Sequence, residues 1–165
     1  MDRDRQPPID YIARTRAQYD ALGHPAYRWV ENPEPPPWAP LRRPLAESRI
    51  ALVASGGIYV HGQIAFHHRD DDSLRIIESD VDVSALRTSH FAYDQTAARA
   101  DPNVVFPIEP LRRAVLRGRL AGLGPHAYTC MGGIYSARRV RERLAPEIAR
   151  HVVEDQVDLV LLVPV

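Results

Sequence analysis

Cysteine and lysine are the residues that this sequence has least of. Cys130 is the only cysteine, and none of the 21 basic residues is a lysine. A single cysteine cannot form an intrachain disulfide, which favours a reducing, cytoplasmic setting. The absence of lysine excludes a Schiff base between a lysine amine of this chain and a carbonyl substrate.

Long apolar runs and an excess of one charge are missing as well. No apolar run approaches the roughly 18 residues of a membrane-spanning helix, and the charged residues 1–5 do not precede the apolar core of a signal peptide. The formal net charge is zero, so we expect no nucleic-acid or membrane partner. A chain of 165 residues with 45% hydrophobic residues is long enough for one domain with a sizeable core.

Two apolar segments predict a parallel sheet. Arg49 to Ala54 and Val157 to Val163 are almost continuously apolar, which is typical of strands buried on both faces. A charged helix is predicted from Ser136 to about Val153, and helix followed by strand is half of a parallel α/β unit. We therefore predict an α/β fold with a mostly parallel sheet and flanking helices. An interior strand at residues 157–163 would suggest that this domain is truncated at its C-terminal end.

The first 48 residues are predicted to form a separate region before the α/β domain at 49–165. Ile9 to Leu22 has the spacing of a short amphipathic helix that ends at Gly23. Residues 24–40 are too rich in proline for a helix or a central strand, so they form an extended N-terminal arm. The aromatic residues of this arm either lie against its own domain or contact another subunit.

Two glycine turns mark a candidate pocket. Ser55, Gly56 and Gly57 follow the first predicted strand directly, and Gly132 and Gly133 follow a second, irregular strand at 120–130. Small residues at these places either make a tight turn or let a backbone N–H approach an anion. Both turns read Gly-Gly-Ile-Tyr, and turns at the same end of a sheet would flank one pocket for a small carboxylate.

Several polar residues near these turns are candidates for chemistry. Ser136 is placed to cap the following helix, and Arg138 lies in its first turn, where it could reach a ligand. His90, Tyr93 and Asp94 offer an acid or base, a phenolic donor and a carboxylate. The alternatives are a structural histidine and an Asp94 that caps a helix together with Thr96.

Cys130 and a charged loop complete the candidates. Cys130 is either a buried small hydrophobe, the interpretation we favour, or a nucleophile activated by the adjacent helix or by His126. Ile64 to Asp72 is predicted to be a surface loop. Its two histidines and three aspartates are neighbours in sequence and rarely converge on one ion, so we expect no metal site.

Six segments in order along the chain carry a resemblance to a known family. They are Tyr-Asp-Ala-Leu-Gly at 19–23, Tyr-Arg-Trp-Val-Glu-Asn-Pro at 27–33, Ala-Leu-Val-Ala-Ser-Gly-Gly-Ile-Tyr at 51–59, Ser-His-Phe-Ala-Tyr-Asp at 89–94, Asp-Pro-Asn-Val-Val-Phe-Pro at 101–107 and Met-Gly-Gly-Ile-Tyr-Ser-Ala-Arg-Arg-Val at 131–140. Together they resemble the selenoprotein B family of glycine, sarcosine, betaine and D-proline reductases, in its short form.

The resemblance implies reductive cleavage of a C–N bond in a small amino acid or amine. A selenolate or thiolate displaces the amine, and a thioredoxin-type or other dithiol supplies the electrons. We expect no bound cofactor, but a selenocysteine or cysteine redox centre just beyond Val165, which this sequence lacks. Either a UGA codon after Val165 was translated as a stop, or the chain is a short paralogue without the redox centre.

We assign roles to three of the site residues. His90 is expected to transfer a proton and Tyr93 to orient the substrate, and Cys130 is a candidate resolving thiol if it is not structural. Expected partners are the dithiol donor and a reductase complex or a second copy of the chain. Two alternatives stay open: a non-catalytic subunit whose arm packs on a partner, and a reductase that acts on a C–S or C–halogen bond.

Overall fold

The structure is a computed structural model that describes residues 10–26 and 29–165. Ile9 and Tyr27, which belong to the predicted helix and the predicted arm, lie outside the described residues. The chain forms two compact units, Met1–Pro37 and Trp38–Val165, which are described separately.

The first unit contains one helix followed by extended chain. Helix α1 spans Tyr11–Ala21, and the Asp10 carboxylate caps it by accepting a hydrogen bond from the Ala13 N–H at 2.9 Å. Gly23 follows the helix with φ of 70°, a left-handed conformation that ends helices and that glycine adopts without strain. Residues 29–37 form no helix or strand, because five prolines at 33–40 remove N–H donors and fix φ. The predicted helix and extended segment are confirmed within the described residues.

A mixed, mostly parallel sheet organises the second unit. Strand β1 (Arg49–Ala54) pairs in parallel with β7 (Leu159–Val163) along one edge. Its other edge pairs in parallel with β5 (Gly122–Leu123) near its beginning and with β6 (His126–Thr129) near its end. Strand β3 (Arg75–Glu78) is antiparallel to β6 and forms the far edge. The predicted α/β class is confirmed.

A small ribbon and two short helices lie beside this sheet. Strands β2 (Ile58–Val60) and β4 (Leu86–Thr88) pair antiparallel. Helices α2 and α3 span Thr96–Ala100 and Ile108–Leu116. The segments 45–47, 83–85 and 102–104 form 3₁₀ turns.

The two faces of β1 meet helices from opposite sides. Leu52 and Ala54 belong to a core that also contains Ile108 of α3, whereas Ala51 and Val53 pack with residues of the C-terminal helix such as Ile148. Side chains of a strand alternate between faces, so covering both faces requires apolar residues at successive positions. This explains the continuous apolar run that predicted β1.

The C-terminal helix is continuous but irregular. It begins with α4 (Ala137–Arg139), passes through a π-helical segment (Val140–Leu144) and continues as α5 (Ala145–Glu154). Pro146 has no N–H and its ring would collide with the carbonyl four residues earlier in a regular α-helix. The wider π-turn just before Pro146 accommodates this ring. The predicted helix from Ser136 to about Val153 is confirmed.

The prediction that the last strand is buried on both faces and interior to the sheet is wrong. Strand β7 pairs with β1 alone among the described strands. Leu161 and Val163 pack on the α3 side and Val160 on the α5 side, but Leu162 is 69% exposed. An apolar run indicates that both faces of a strand are covered by other residues. It does not indicate whether the strand pairs with a neighbour along one edge or along both. The exposed Leu162 gives truncation no support from burial, and a truncated C-terminal end of the domain stays a prediction.

In the described parts of the chain, no helix is long and apolar enough to cross a membrane.

Candidate active site

Three strand ends converge at Ser55. The Ser55 N–H donates to the Val163 carbonyl at 3.0 Å, and the Ser55 hydroxyl accepts from the Val165 N–H at 3.0 Å. The Ser55 carbonyl accepts from the Gly132 N–H at 2.9 Å, just beyond β6. The chain leaves β1 for β6 on one side and returns to β7 on the other, so the carboxyl ends of β1 and β7 lie at a topological switch point. Open α/β sheets bind ligands at such points.

The first glycine turn is tightly held. Gly57 has φ of +68°, its N–H donates to the Cys130 carbonyl at 3.0 Å, and its carbonyl accepts from the Ser89 N–H at 2.9 Å. A Cβ on Gly57 would overlap the Ser89 carbonyl, and a Cβ on Gly56 would come within 2.9 Å of Val105. Glycine is therefore required here for conformation and for close packing.

The second glycine turn is shaped by its neighbours' side chains. A Cβ on Gly132 would lie 3.1 Å from the Ser55 hydroxyl, and a Cβ on Gly133 would overlap the ring of Phe91. The two turns thus lie together through Ser55, as the sequence predicts. Phe91 was not among the predicted site residues, although it directly follows His90 in the sequence.

His90 lies between the two turns. It is 8% exposed, and its Nδ1 accepts from the Ala92 N–H at 3.0 Å. Its Nε2 faces the Gly132 N–H at 3.2 Å, and this N–H also donates to the Ser55 carbonyl at 2.9 Å. Both ring nitrogens therefore face backbone N–H groups. A neutral imidazole has one acceptor nitrogen, so each tautomer accepts one of these two N–H groups.

Burial lowers the pKa of His90 below its usual range. Because desolvation disfavours the charged imidazolium, His90 is neutral at pH 7. A neutral imidazole at this place has one N–H donor and one acceptor nitrogen, the two groups needed to relay a proton.

Tyr93 supports this arrangement through the backbone of the first turn. Its hydroxyl donates to the Gly56 carbonyl at 2.8 Å and lies 3.1 Å from the Thr88 hydroxyl. Its ring centroid is 4.8 Å from that of His90. Tyr93 therefore fixes the positions of Gly56 and His90, and its hydroxyl is already engaged by the protein.

Asp94 is directed elsewhere. Its exposed carboxylate accepts hydrogen bonds from the Thr96 N–H at 2.9 Å and the Thr96 hydroxyl at 2.7 Å, at the start of α2. These bonds lower the pKa of Asp94, because they stabilise the carboxylate. This geometry matches the capping alternative and gives Asp94 no contact with His90.

Cys130 is buried directly before the second turn. Burial raises the pKa of its thiol to about 11, the reverse of what an activated nucleophile requires. His126 lies at the opposite end of β6, where its Nδ1 is 2.9 Å from the Asp155 carboxylate. The geometry favours a structural role for Cys130.

The N-terminal end of α4 is already occupied by a carboxylate of the same chain, that of Asp70. Ser136 caps the helix by accepting from the Arg139 N–H at 3.3 Å, and the Asp70 carboxylate accepts from the N–H groups of Tyr135 at 2.7 Å and Ser136 at 3.3 Å. The Arg139 guanidinium lies 3.6 Å from the same carboxylate. Sequence analysis missed Asp70, because only the fold brings the loop at 64–72 to this turn.

Arg138 points away from this arrangement. It is an exposed residue whose guanidinium forms an ion pair with Glu142 at 3.1 Å. A pair of this kind four residues apart lies on the solvated face of a helix, so Arg138 does not reach the glycine turns.

No metal-ligand cluster emerges at these turns. Within residues 10–26 and 29–165, no three His, Cys, Asp or Glu side chains are grouped to hold a metal ion. Two wide surface clefts lie elsewhere, one of about 750 Å³ beside Phe66 and Arg75 and one of about 470 Å³ beside Glu78 and Arg112.

Comparison with known proteins decides the family. Residues 34–165 match the family model described as glycine/sarcosine/betaine reductase selenoprotein B. The chain belongs to this family. The resemblance found in the sequence is therefore confirmed.

Two curated relatives of this family are reductase subunits. The chain is 35% identical over 134 residues to the D-proline reductase subunit gamma of Acetoanaerobium sticklandii, covering 81% of this chain and 55% of that protein. It is 30% identical over 133 residues to the glycine reductase complex component B subunit gamma of Symbiobacterium thermophilum, covering 77% of this chain and 30% of that protein. The chain thus spans about half of the first relative and less than a third of the second. No solved structure matches the chain.

Proposed function

We propose that the chain is a component of a reductase complex that cleaves the C–N bond of a small amino acid or amine, with a dithiol as the electron donor. The observation that carries the proposal is the convergence of β1, β7 and both glycine turns beside His90 in a member of the selenoprotein B family. The substrate class is that of glycine, sarcosine, betaine and D-proline.

The geometry at Ser55 fits a reactive group carried by residues that follow Val165 in the gene. Val165 lies against the first turn, since its N–H binds the Ser55 hydroxyl and its side chain would lie 3.4 Å from a Cβ on Gly56. A selenolate or thiolate there would supply the soft nucleophile that attacks the substrate carbon as the C–N bond breaks. One thiolate of the dithiol then attacks the selenium or sulfur atom, and the substrate carbon leaves with the bonding electrons and takes up a proton. Attack of the second thiol on the resulting mixed bond forms the disulfide and restores the selenolate or thiolate.

The proposed role of His90 is to orient the substrate from the Nε2 side. An amine that is quaternary or protonated leaves as a neutral amine, taking the bonding electrons, so its departure requires no proton from the protein. The tautomer with its proton on Nε2 would donate to a substrate carboxylate that takes the place of the Gly132 contact. Proton transfer by His90 would be needed only for a substrate whose amine is bound in its unprotonated form.

The proposed function is tested in two steps, sequencing of the gene beyond codon 165 and an activity assay. The codons after Val165 are sequenced, and the protein is produced through the next in-frame stop with selenocysteine or cysteine at any UGA. With dithiothreitol as donor, release of ammonia or amine is then measured for glycine, sarcosine and betaine, and formation of a primary amine by ring opening is measured for D-proline. We expect release from the extended protein only, and a loss of about a hundredfold in turnover for His90→Ala. His68→Ala, an exposed loop residue, is the matched control.

The raised pKa of Cys130 favours a second candidate. Cys130 is the only cysteine, and its thiol is held protonated by burial, so the chain as it stands has no activated sulfur. It would then be a non-catalytic subunit whose partner supplies the redox group. A downstream frame without UGA or cysteine codons, combined with full activity of a complex that contains the 165-residue chain, would establish this function and overturn the first. Activity on substrates with C–S or C–halogen bonds would correct only the bond that is cleaved.

A further inference from the structure

Aromatic side chains form a row beside the second glycine turn. The rings of His90 and Phe91 are nearly parallel, with an interplanar angle of 19° and centroids 5.9 Å apart. Phe91 and Tyr135 are also nearly parallel, at 20°, with centroids 6.3 Å apart. The tip of the Phe91 ring lies against Gly133, where it would overlap an added Cβ. This aromatic row of His90, Phe91 and Tyr135 therefore borders the candidate active site.

The aromatic row runs from the protein interior to its surface. His90 is buried, whereas Phe91 is 42% exposed and Tyr135 is 65% exposed. Neighbouring aromatic rings that are exposed together at the border of a crevice are typical of ligand-binding surfaces. Burial in a core does not account for these two rings, but a ligand that covers them would.

The charges around the aromatic row favour a ligand with a diffuse positive charge. His90 does not repel a cation at pH 7, because burial lowers its pKa and keeps the imidazole neutral. The Asp70 carboxylate, which binds the Tyr135 N–H, is balanced by the Arg139 guanidinium at 3.6 Å. Aromatic ring faces attract a cation that lies within about 6 Å of their centroids. Two rings with centroids 6.3 Å apart can therefore share one ammonium group.

The degree of methylation decides how well an ammonium group fits such rings. A primary ammonium group carries N–H donors that need acceptors, and aromatic ring faces are poor acceptors. A quaternary ammonium group has no N–H donor and spreads its charge over its methyl groups, so it is well suited to an aromatic surface. The aromatic row therefore favours the fully methylated form of an amine over the unmethylated form.

We propose that Phe91 and Tyr135 are specificity-determining residues that hold the quaternary ammonium group of a betaine-like substrate, while its carboxylate lies toward His90. This inference rests on the proposed function, because it assigns a substrate preference to the same site. An α-ammonium carboxylate carries its two charged groups on one carbon atom. The neighbouring side chains of His90 and Phe91, with ring centroids 5.9 Å apart, can therefore receive both groups.

The first test compares ligands on the wild-type 165-residue chain by isothermal titration calorimetry. Betaine is compared with tert-butylacetate, which has the same shape and carboxylate but no positive charge, and with glycine, which lacks the methyl groups. We expect betaine to bind at least about tenfold more tightly than either comparison ligand. Equal affinity for betaine and one of the other two ligands, or no saturable binding of betaine, would overturn the proposal.

Substitutions at Phe91 separate the aromatic ring from its apolar volume. Phe91→Leu retains an apolar side chain but has no π face, and it should weaken betaine binding at least about tenfold. Phe91→Tyr retains the ring and should bind betaine within about threefold of the wild type. Thermal melts show whether each variant is folded. A folded Phe91→Leu protein that binds betaine as tightly as the wild type would contradict the proposal.

The outcomes for this inference and for the proposed function can be told apart. Betaine binding requires no redox group. Ring-dependent binding without cleavage of betaine by the extended protein would therefore leave this inference in place and overturn the reductase function. Cleavage of betaine with the same kcat/KM in the wild type and in Phe91→Leu would support the reductase function and overturn this inference.

Discussion

The tetrapeptide Gly-Gly-Ile-Tyr occurs twice and adopts two different structures. At 56–59 it leads into strand β2, with Gly57 at positive φ and Ile58 fully buried. At 132–135 it leads into helix α4, neither glycine has a positive φ, and Tyr135 is exposed. Identical local sequence therefore has different conformations, because the surrounding strands decide which backbone bonds each copy can make.

The difference separates two uses of glycine. Gly57 is required by the backbone, since the Ser89 carbonyl occupies the space of a Cβ. Gly133 is required by side chains, mainly the ring of Phe91 and, at 3.1 Å, the Met131 sulfur. A backbone group held by hydrogen bonds cannot give way, but an aromatic ring on the surface can. The first turn should therefore be far less tolerant of change than the second.

Gly57→Ala should have the largest effect. Alanine at φ of +68° costs about 1 to 2 kcal/mol, and overlap with the Ser89 carbonyl adds about 1 to 3 kcal/mol. We expect urea denaturation to show a loss of about 2 to 5 kcal/mol in the free energy of unfolding.

Gly118→Ala is the matched control for this change. Gly118 has φ of +67°, nearly the same as Gly57, but nothing lies within 4 Å of the Cβ position. It should show the conformational cost alone, about 1 to 2 kcal/mol. Equal losses for the two variants would mean that the first turn is not tightly packed.

The next largest effect should be seen in the alkylation rate of Cys130, which precedes the second glycine turn. Since burial raises the pKa of the Cys130 thiol to about 11, the folded state disfavours the thiolate relative to an unfolded chain with an ordinary thiol pKa near 9. At pH 8, iodoacetamide should modify the folded protein at least about a hundredfold more slowly than the urea-unfolded protein, as followed by mass spectrometry.

The raised pKa of Cys130 also makes the free energy of unfolding depend on pH. Between pH 9 and pH 11 the unfolded chain loses the thiol proton first, so the free energy of unfolding should fall as pH rises through this window. Cys130→Ala should remove this part of the fall. Rapid alkylation of the folded protein, at a rate that tracks a thiol pKa near 7, would instead restore Cys130 as a candidate resolving thiol.

Gly133→Ala should have the smallest effect. The overlap with Phe91 can be relieved by rotating a partly exposed ring, so we expect a loss of about 1 kcal/mol. In a Phe91→Ala background the same change should cost less, because only the Met131 sulfur, 3.1 Å away, then crowds the added Cβ. A double-mutant cycle with no coupling between the two positions would place the constraint on Gly133 elsewhere.

Periodicity and glycine placement predicted much of this molecule. The apolar run Arg49–Ala54 predicted β1, and the helix predicted from Ser136 to about Val153 corresponds to α4 and α5 together. The two glycine turns were expected at one end of the sheet, and they lie there. These features are local, or follow from the rule that parallel strands end at the same edge.

Features that depend on distant partners were not predictable. Nothing near Asp70 in sequence indicates that its carboxylate binds the Tyr135 N–H, 65 residues away. The edge position of β7 was missed for the same reason, since pairing is a relation between strands. The roles assigned to His90, Tyr93, Asp94 and Cys130 stay predictions, as does the division of the chain at residue 48.

The most direct test of the account compares two histidines at opposite ends of β6. The imidazole NMR signals of His90 and His126 are followed while betaine is added to the 165-residue chain. If the ligand binds at the carboxyl ends of β1 and β7, the His90 signals shift with a saturable dependence and those of His126, beside Asp155, do not move. Shifts at His126 alone, or saturable binding that leaves His90 unperturbed, would contradict the account.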